Sequence, residues 1–321
     1  MKAIILLLVF IRLCLAKQLA EPSDLNKVDP MLEDLLRNEN LINQRISAGV
    51  ASGDLRENDY MPDALKDLIM QKMAKMPGDM GWNRVFGGQV APRGAYPHQV
   101  GMSLMTANGG SSWCGGSVLS ETYVLTAAHC LDNVYMASMI FGAHDRMNSA
   151  EPGRVTQTVT RANFIVHRGW NPQNMLNDIA LIRLNQRLQF TNLIKPISIL
   201  SSPYESYEGQ TAIVSGWGHY DATSQLARHL RHAQSVVANN ALCQQYFGHF
   251  ITNNNVCLDG SRGQGACNGD SGGPLINTKG QLIGLVSFGS GQGCDRRWPT
   301  VYTKIASYKT WITQNSGIRF V

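Results

Sequence analysis

Six of the seven cysteines in this 321-residue chain fall after residue 84, at Cys114, Cys130, Cys243, Cys257, Cys267 and Cys294; the seventh, Cys14, lies in an N-terminal apolar run. An even set of cysteines behind such a run reads as a disulfide framework. Six allow many connectivities, so on these grounds the pairing stays open. The spacing contains no CxxC, and a zinc site is not indicated. The framework confines the cross-linked fold to the region after residue 84. No disulfide can tie the preceding segment to it, so once the chain is cut at that boundary the segment is free to leave.

Lys2, the apolar run from Ala3 to Leu15 broken by Arg12, and the small Ala16 follow the order of a signal peptide. This predicts a leader over 1–16 and a secreted, extracellular protein. No later stretch approaches the roughly 20 apolar residues that cross a bilayer, so no membrane anchor is expected. Residues 17–84 carry 9 Lys+Arg against 12 Asp+Glu, and residues 85–321 carry 17 against 11. An acidic prosegment can lie against a basic domain, or its sign can mean no more than a solvated linker. The basic excess is scattered, with no arginine-rich run, and no nucleic-acid partner is expected.

Within 17–84, Val28, Met31, Leu32, Leu35 and Leu36, and then Leu65, Leu68, Ile69, Met73 and Met76, stand at helical spacing on either side of a Gly/Ser/Ala-rich break at 47–53. The spacing fits two short amphipathic helices, with disorder as the alternative. From Val85 the texture changes. Short apolar runs such as 123–125, 139–141, 180–184 and 212–214 alternate with Gly, Asn and Pro, which predicts an all-β domain. Near the end, Tyr308, Trp311 and Ile312 at i, i+3, i+4, with Ser307 as a cap and Gly317 beyond, predict one helix over about 307–316.

Three short motifs carry chemistry. Gly269-Asp270-Ser271-Gly272-Gly273-Pro274 sets a serine between glycines that let backbone N–H groups turn toward a substrate oxygen. Thr126-Ala127-Ala128-His129-Cys130 offers a base to take the serine proton, and Asn177-Asp178-Ile179-Ala180-Leu181 offers a carboxylate to orient that base. The order His, Asp, Ser is one of the known chain orders of a catalytic triad.

At these residues the chain, from Val85 to Val321, resembles the chymotrypsin-like (trypsin-fold) serine peptidases. The resemblance implies two antiparallel β-barrels, about 85–205 and 206–305, with the site between them and the terminal helix packed on the second. It implies the pairs Cys114 with Cys130, Cys243 with Cys257, and Cys267 with Cys294. It gives His129, Asp178 and Ser271 the triad roles, and the N–H groups of Gly269 and Ser271 the oxyanion hole. Arg84-Val85-Phe86-Gly87-Gly88 matches an activation junction. Cleavage after Arg84 would free the Val85 ammonium to pair with Asp270, leaving 17–84 as the propeptide.

The resemblance also marks a primary pocket with Gly265 at its floor, Ser287, Phe288 and Gly289 along its edge and Thr300 on its wall. A floor without a carboxylate gives Arg or Lys no partner. Cleavage after large apolar residues is expected, with an elastase-like preference for small aliphatic residues as the alternative if Thr300 shortens the cavity. Pro97-His98-Gln99 and Gly265-Ala266-Cys267-Asn268 are similar to the invertebrate brachyurin and insect chymotrypsin branch, some of whose members are digestive. Ala143 stands where calcium-binding members place a glutamate, so no such metal site is expected. The implied protein is a monomeric zymogen without a cofactor. Its partners are protein or peptide substrates, a trypsin-like activating peptidase and serine peptidase inhibitors. A non-catalytic homologue with a binding or regulatory role is the rival reading.

Overall fold

The computed structural model describes residues 88–199, 206–220 and 225–319. The leader, the propeptide helices and the Arg84–Val85 junction lie outside the described residues. Those described belong to one unit, Gly81–Val321.

The first sheet is built from β2 (Gln99–Thr106), β3 (Ser111–Val118), β4 (Tyr123–Thr126), β5 (Val134–Phe141), β6 (Val155–Thr160), β7 (Phe164–Val166) and β8 (Ala180–Arg183). The strands run antiparallel in the order β6-β5-β2-β3-β4-β8-β7. Val100, Met102 and Leu104 alternate along β2 and are fully buried, meeting Phe141, Leu181 and Ile182 in one core. This is the period-two burial of a sheet that curls around its own interior, at about 1.5–3 kcal/mol per large side chain.

The second sheet holds β1 (Gln89–Val90), β9 (Thr211–Gly216), β10 (Arg231–Ala238), β11 (Asn255–Leu258), β12 (Pro274–Asn277), β13 (Leu282–Phe288) and β14 (Thr300–Lys304), in the order β1-β10-β11-β14-β13-β12-β9. A further pairing of β10 with β9 curls it into the second all-β barrel. The first described strand thus belongs to the second sheet, because Gln89 and Val90 pair with His232 and Arg231.

Among the described residues, two α-helices accompany the barrels. The first, α1 (Asn240–Phe247), is absent from the sequence expectation; the Asn239 side chain caps it by accepting the Leu242 N–H at 2.8 Å. The second, α2 (Lys309–Ser316), closes on Gly317 in the left-handed conformation and follows a 3-10 turn over Ile305–Tyr308, so Ser307 lies inside that turn and does not cap. The expectation that this helix packs on the second barrel is corrected. Trp311 and Tyr308 lie 5.3 and 5.6 Å from His167, and Ile312 enters the core of the first barrel. No helix among the described residues is long and apolar enough to cross a membrane.

Candidate active site

His129 opens a 3-10 turn directly after β4, behind the fully buried Ala127 and Ala128. The Cys114–Cys130 disulfide fixes the next residue to β3. Asp178 lies two residues before the start of β8 and is 1 % exposed. Its approach is set by Met175 and Asn177, both left-handed at φ +54° and +56°. Asn177 is held there by its amide on the Gly169 carbonyl (2.7 Å) and by the Tyr308 hydroxyl (3.1 Å). The segment before the terminal helix therefore braces the aspartate loop, a role that sequence reading missed.

The Asp178 carboxylate accepts three hydrogen bonds. Oδ1 takes the His129 backbone N–H (2.9 Å), and Oδ2 takes His129 Nδ1–H (2.8 Å) and the Ser287 hydroxyl (2.6 Å). Register slips between Val286 and Phe288 where β13 meets β14, and this bulge aims Ser287 across to the first barrel. Thr303 on β14 donates to the Asp178 carbonyl at 2.8 Å. Two hydroxyls of the second barrel thus grip an aspartate of the first. Sequence reading placed Ser287 only at the pocket edge and did not find Thr303.

The Cys130 sulfur lies 3.8 Å from His129 Nε2 and 3.5 Å from the Ser271 carbonyl oxygen, so the histidine ring and the Ser271 backbone flank the same sulfur. The sulfurs of Cys114 and Cys130 beside His129 are joined to each other and offer no thiolate to a metal. The Ser271 carbonyl is anchored by the Gly115 N–H at 2.7 Å. The remaining disulfides are Cys243–Cys257 and Cys267–Cys294, the latter spanning the pocket walls.

Around Ser271 the backbone turns sharply. Gly269 and Gly272 have φ of +94° and +74°, and a Cβ at 272 would sit 2.2 Å from Thr126 Oγ1. Only glycine fits both the conformation and the space. The N–H groups of Asp270, Gly272 and Gly273 all donate to carbonyls, whereas those of Gly269 and Ser271 have no backbone acceptor among the described residues. Among the described residues, the N–H groups of Gly269 and Ser271 thus stay free of backbone acceptors beside the Ser271 side chain.

Asp270 is fully buried, and its carboxylate accepts from the Gly218 N–H (2.8 Å) and the Cys267 N–H (3.0 Å). Burial pushes its carboxyl up to about 6, against the pull of those two donors. No cationic side chain among the described residues pairs with it. Cβ atoms at Gly216 and Gly218 would meet the carboxylate at 2.1 and 2.5 Å, so glycines alone let the chain close around it.

A cavity of about 270 Å³ opens beside Ser271, lined by Gly265, Ser287, Phe288, Gly289, Trp298 and Thr300 among others. It contains no charged residue. Thr300 Oγ1 lies 2.5 Å from where a Gly265 Cβ would stand, so the threonine packs directly over that glycine. Phe288 packs edge-on against Phe247 of α1 at 5.5 Å, and Phe247 meets Trp298 at 5.8 Å. Phe247, from the helix the sequence did not disclose, thus backs the two aromatic residues that line the cavity. Asp295 and Arg296 are exposed outside it.

Burial opposes a charge on the His129 ring, but the charge and hydrogen bond of Asp178, with the charge of Asp132, outweigh it and hold its pKa above the ordinary value. A base must be neutral to accept a proton. kcat/KM is therefore expected to rise with pH along a limb centred above 6.5, and in Asp178→Asn that midpoint is expected to move down. A pH–rate profile on one peptide substrate checks both.

A pair of curled antiparallel sheets with such a histidine, aspartate and serine converging between them defines a class of serine hydrolase. The trypsin family model matches residues 85–312, and the chain belongs to that family. It is 34% identical over 241 residues to the collagenase of Hypoderma lineatum, spanning 74% of this chain and 89% of that protein. To brachyurin of Leptuca pugilator it is 33% identical, over 73% of this chain and 99% of the other. The solved structure of HL collagenase superimposes with a TM-score of 0.66 at 33% identity, covering 73% of this chain and 99% of that one. The protein is a serine endopeptidase of the all-β, two-barrel fold.

Proposed function

We propose that the chain is the secreted zymogen of an endopeptidase that cleaves after large apolar residues and becomes active on cleavage after Arg84. The carrying observation is a serine beside an uncharged cavity that Gly265 helps line, with a carboxylate-braced histidine nearby. His129 takes the Ser271 proton as the oxygen attacks the carbonyl carbon. The amides of Gly269 and Ser271 stabilise the oxyanion, the protonated ring gives its proton to the leaving amine, and water then hydrolyses the acyl ester. Asp178 holds the ring tautomer.

Activation is supported by Asp270, a buried carboxylate lacking a counter-charge among the described residues. Gly88 is docked through its carbonyl to Arg231 at 3.0 Å, and Arg231 is the ladder partner of Gly216, which lies against Asp270. Val85 stands three residues upstream of Gly88. Extended chain spans about 10 Å over three residues, which sets how far a freed Val85 ammonium extends from Gly88 toward the carboxylate. Three disulfides agree with an extracellular setting. An uncharged pocket does not receive Arg84, so a separate trypsin-like peptidase is the activator.

Thr300 leaning over Gly265 favours a second reading, a shallower elastase-like pocket. Cleavage-site profiling on a diverse peptide mixture, with zymogen activated by immobilised trypsin and Ser271→Ala as the blank, separates them. Cleavage after Phe, Tyr, Leu or Met is expected. Cleavage confined to Ala and Val would assign the elastase-like pocket. No cleavage above the blank, with Val85 verified as the new N-terminus, would overturn the catalytic assignment.

A further inference from the structure

Arg146 lies in the loop after β5, outside every residue assigned so far, yet it reaches the Trp113 ring and the Leu226 backbone carbonyl, and the side chains of these two residues flank Gly269. Its Nε donates to the Ala227 carbonyl at 2.8 Å, a terminal nitrogen donates to the Leu226 carbonyl at 3.3 Å, and its backbone N–H meets the Arg228 carbonyl at 2.9 Å. The same guanidinium sits 5.5 Å from the centroid of the Trp113 ring, within cation–π range. A Cβ placed on Gly269 would lie 2.4 Å from Leu226 Cδ2 and 3.6 Å from Trp113 Cδ1. Leu226 and Trp113, with the Gly218 Cα 3.1 Å from the same point, therefore wall in the glycine, and one arginine ties the Leu226 backbone to the Trp113 ring.

The loop that carries Arg146 is itself fixed. Glu151 accepts the N–H groups of His144 (2.8 Å) and Asp145 (3.1 Å) and pairs with Arg93 at 3.1 Å. Asp145 accepts Arg228 Nε at 2.9 Å, so the loop and the Leu226–Arg228 segment are locked together. Trp113 meets Trp217 edge-on at 6.2 Å, and Trp217 Nε1 donates to the His144 carbonyl at 3.1 Å.

We propose that Arg146 is a positioning residue, holding Leu226 and Trp113 against Gly269 so that the wall of the cleft facing the leaving peptide is set before substrate arrives. Neither Leu226 nor Trp113 lines the cavity beside Ser271. They bound the part of the cleft at Gly269 that remains for residues after the scissile bond. The inference rests on the reading that the Gly269 amide meets the oxyanion.

The test uses activated enzyme, normalised by active-site titration, on two substrates sharing one acyl peptide. One has a single aromatic amine as leaving group and the other a three-residue peptide. In Arg146→Met, kcat/KM for the peptide leaving group is expected to fall about tenfold more than for the amine, mainly in kcat, the size of one or two lost charge-assisted hydrogen bonds. Arg146→Lys is expected to recover part of the loss. Leu226→Ala is expected to reproduce it, with the Arg146→Met/Leu226→Ala pair no worse than the larger single, because both act on one wall. An equal fall on both substrates, or none, would overturn the proposal. Wild-type preference for a peptide aldehyde over the matching alcohol reports the Gly269 and Ser271 amides separately. If that preference is missing, the oxyanion assignment fails whatever Arg146 does.

Discussion

Ser271→Ala is expected to lower kcat for peptide hydrolysis by about 10⁶, a barrier increase of about 8 kcal/mol. The size follows from the way the three side chains work as a unit. His129, anchored to Asp178 Oδ2 at 2.8 Å, has a proton to accept only if Ser271 is there to give one. Without the hydroxyl no acyl ester forms, and the remaining rate comes from the amides of Gly269 and Ser271 polarising a carbonyl toward water. His129→Ala is expected to cost nearly as much, and Ser271→Ala/His129→Ala little more than either alone. Single-turnover rates on one peptide, with trace contamination excluded by an inhibitor blank, check the whole set. Additive losses would mean that the two residues act independently.

The second large effect concerns Asp270. Cleavage after Arg84 is expected to raise kcat/KM by about 10² to 10⁴, and Asp270→Asn to remove the same factor from the cleaved enzyme. Breaking a buried ion pair from one side costs about 3–5 kcal/mol, because the other charge stays buried alone. Here the carboxylate is wholly inside, and the turn carrying Gly269 and Ser271 leads directly from it. On the proposed activation, loss of a Val85–Asp270 pair is therefore expected to relax the amides of Gly269 and Ser271. An Arg84→Ala protein, treated identically with trypsin and sequenced from its N-terminus, provides the uncleaved reference. Full activity in cleaved Asp270→Asn would break the link between the new terminus and the site.

The candidate site could be drawn from the sequence where its chemistry sits within a few consecutive residues. Ser271 between its glycines, His129 after two alanines and Asp178 before an apolar run each form a local pattern, and the fold brings them together. What joins them is not local. Ser287 reaches Asp178 only because β13 bulges, Thr303 finds the Asp178 carbonyl from another strand, and Tyr308 holds Asn177 from the chain's far end. Such contacts belong to tertiary packing and leave no periodic trace.

The fold shows the same division. Short apolar runs mark the strands, but β1 joins the second sheet because its partner is β10, a pairing that no run of residues announces. Helix α1 escaped notice since it buries only Cys243 and so has no apolar stripe; its one local sign is the capping Asn239. Helical spacing identified the buried face of the terminal helix but not its partner, and the partner proved to be the first barrel.

The most direct measurement is mass spectrometry of the chain after reaction with a fluorophosphonate, comparing uncleaved protein, protein cut after Arg84, and the cut His129→Ala and Ser271→Ala variants. A single adduct on the Ser271 peptide of the cut wild-type protein alone, with the uncleaved chain reacting far more slowly, is the expected result. An adduct on another residue, or equal labelling of cut protein with and without His129, would contradict a serine made nucleophilic by His129 and exposed to substrate by the cut at Arg84.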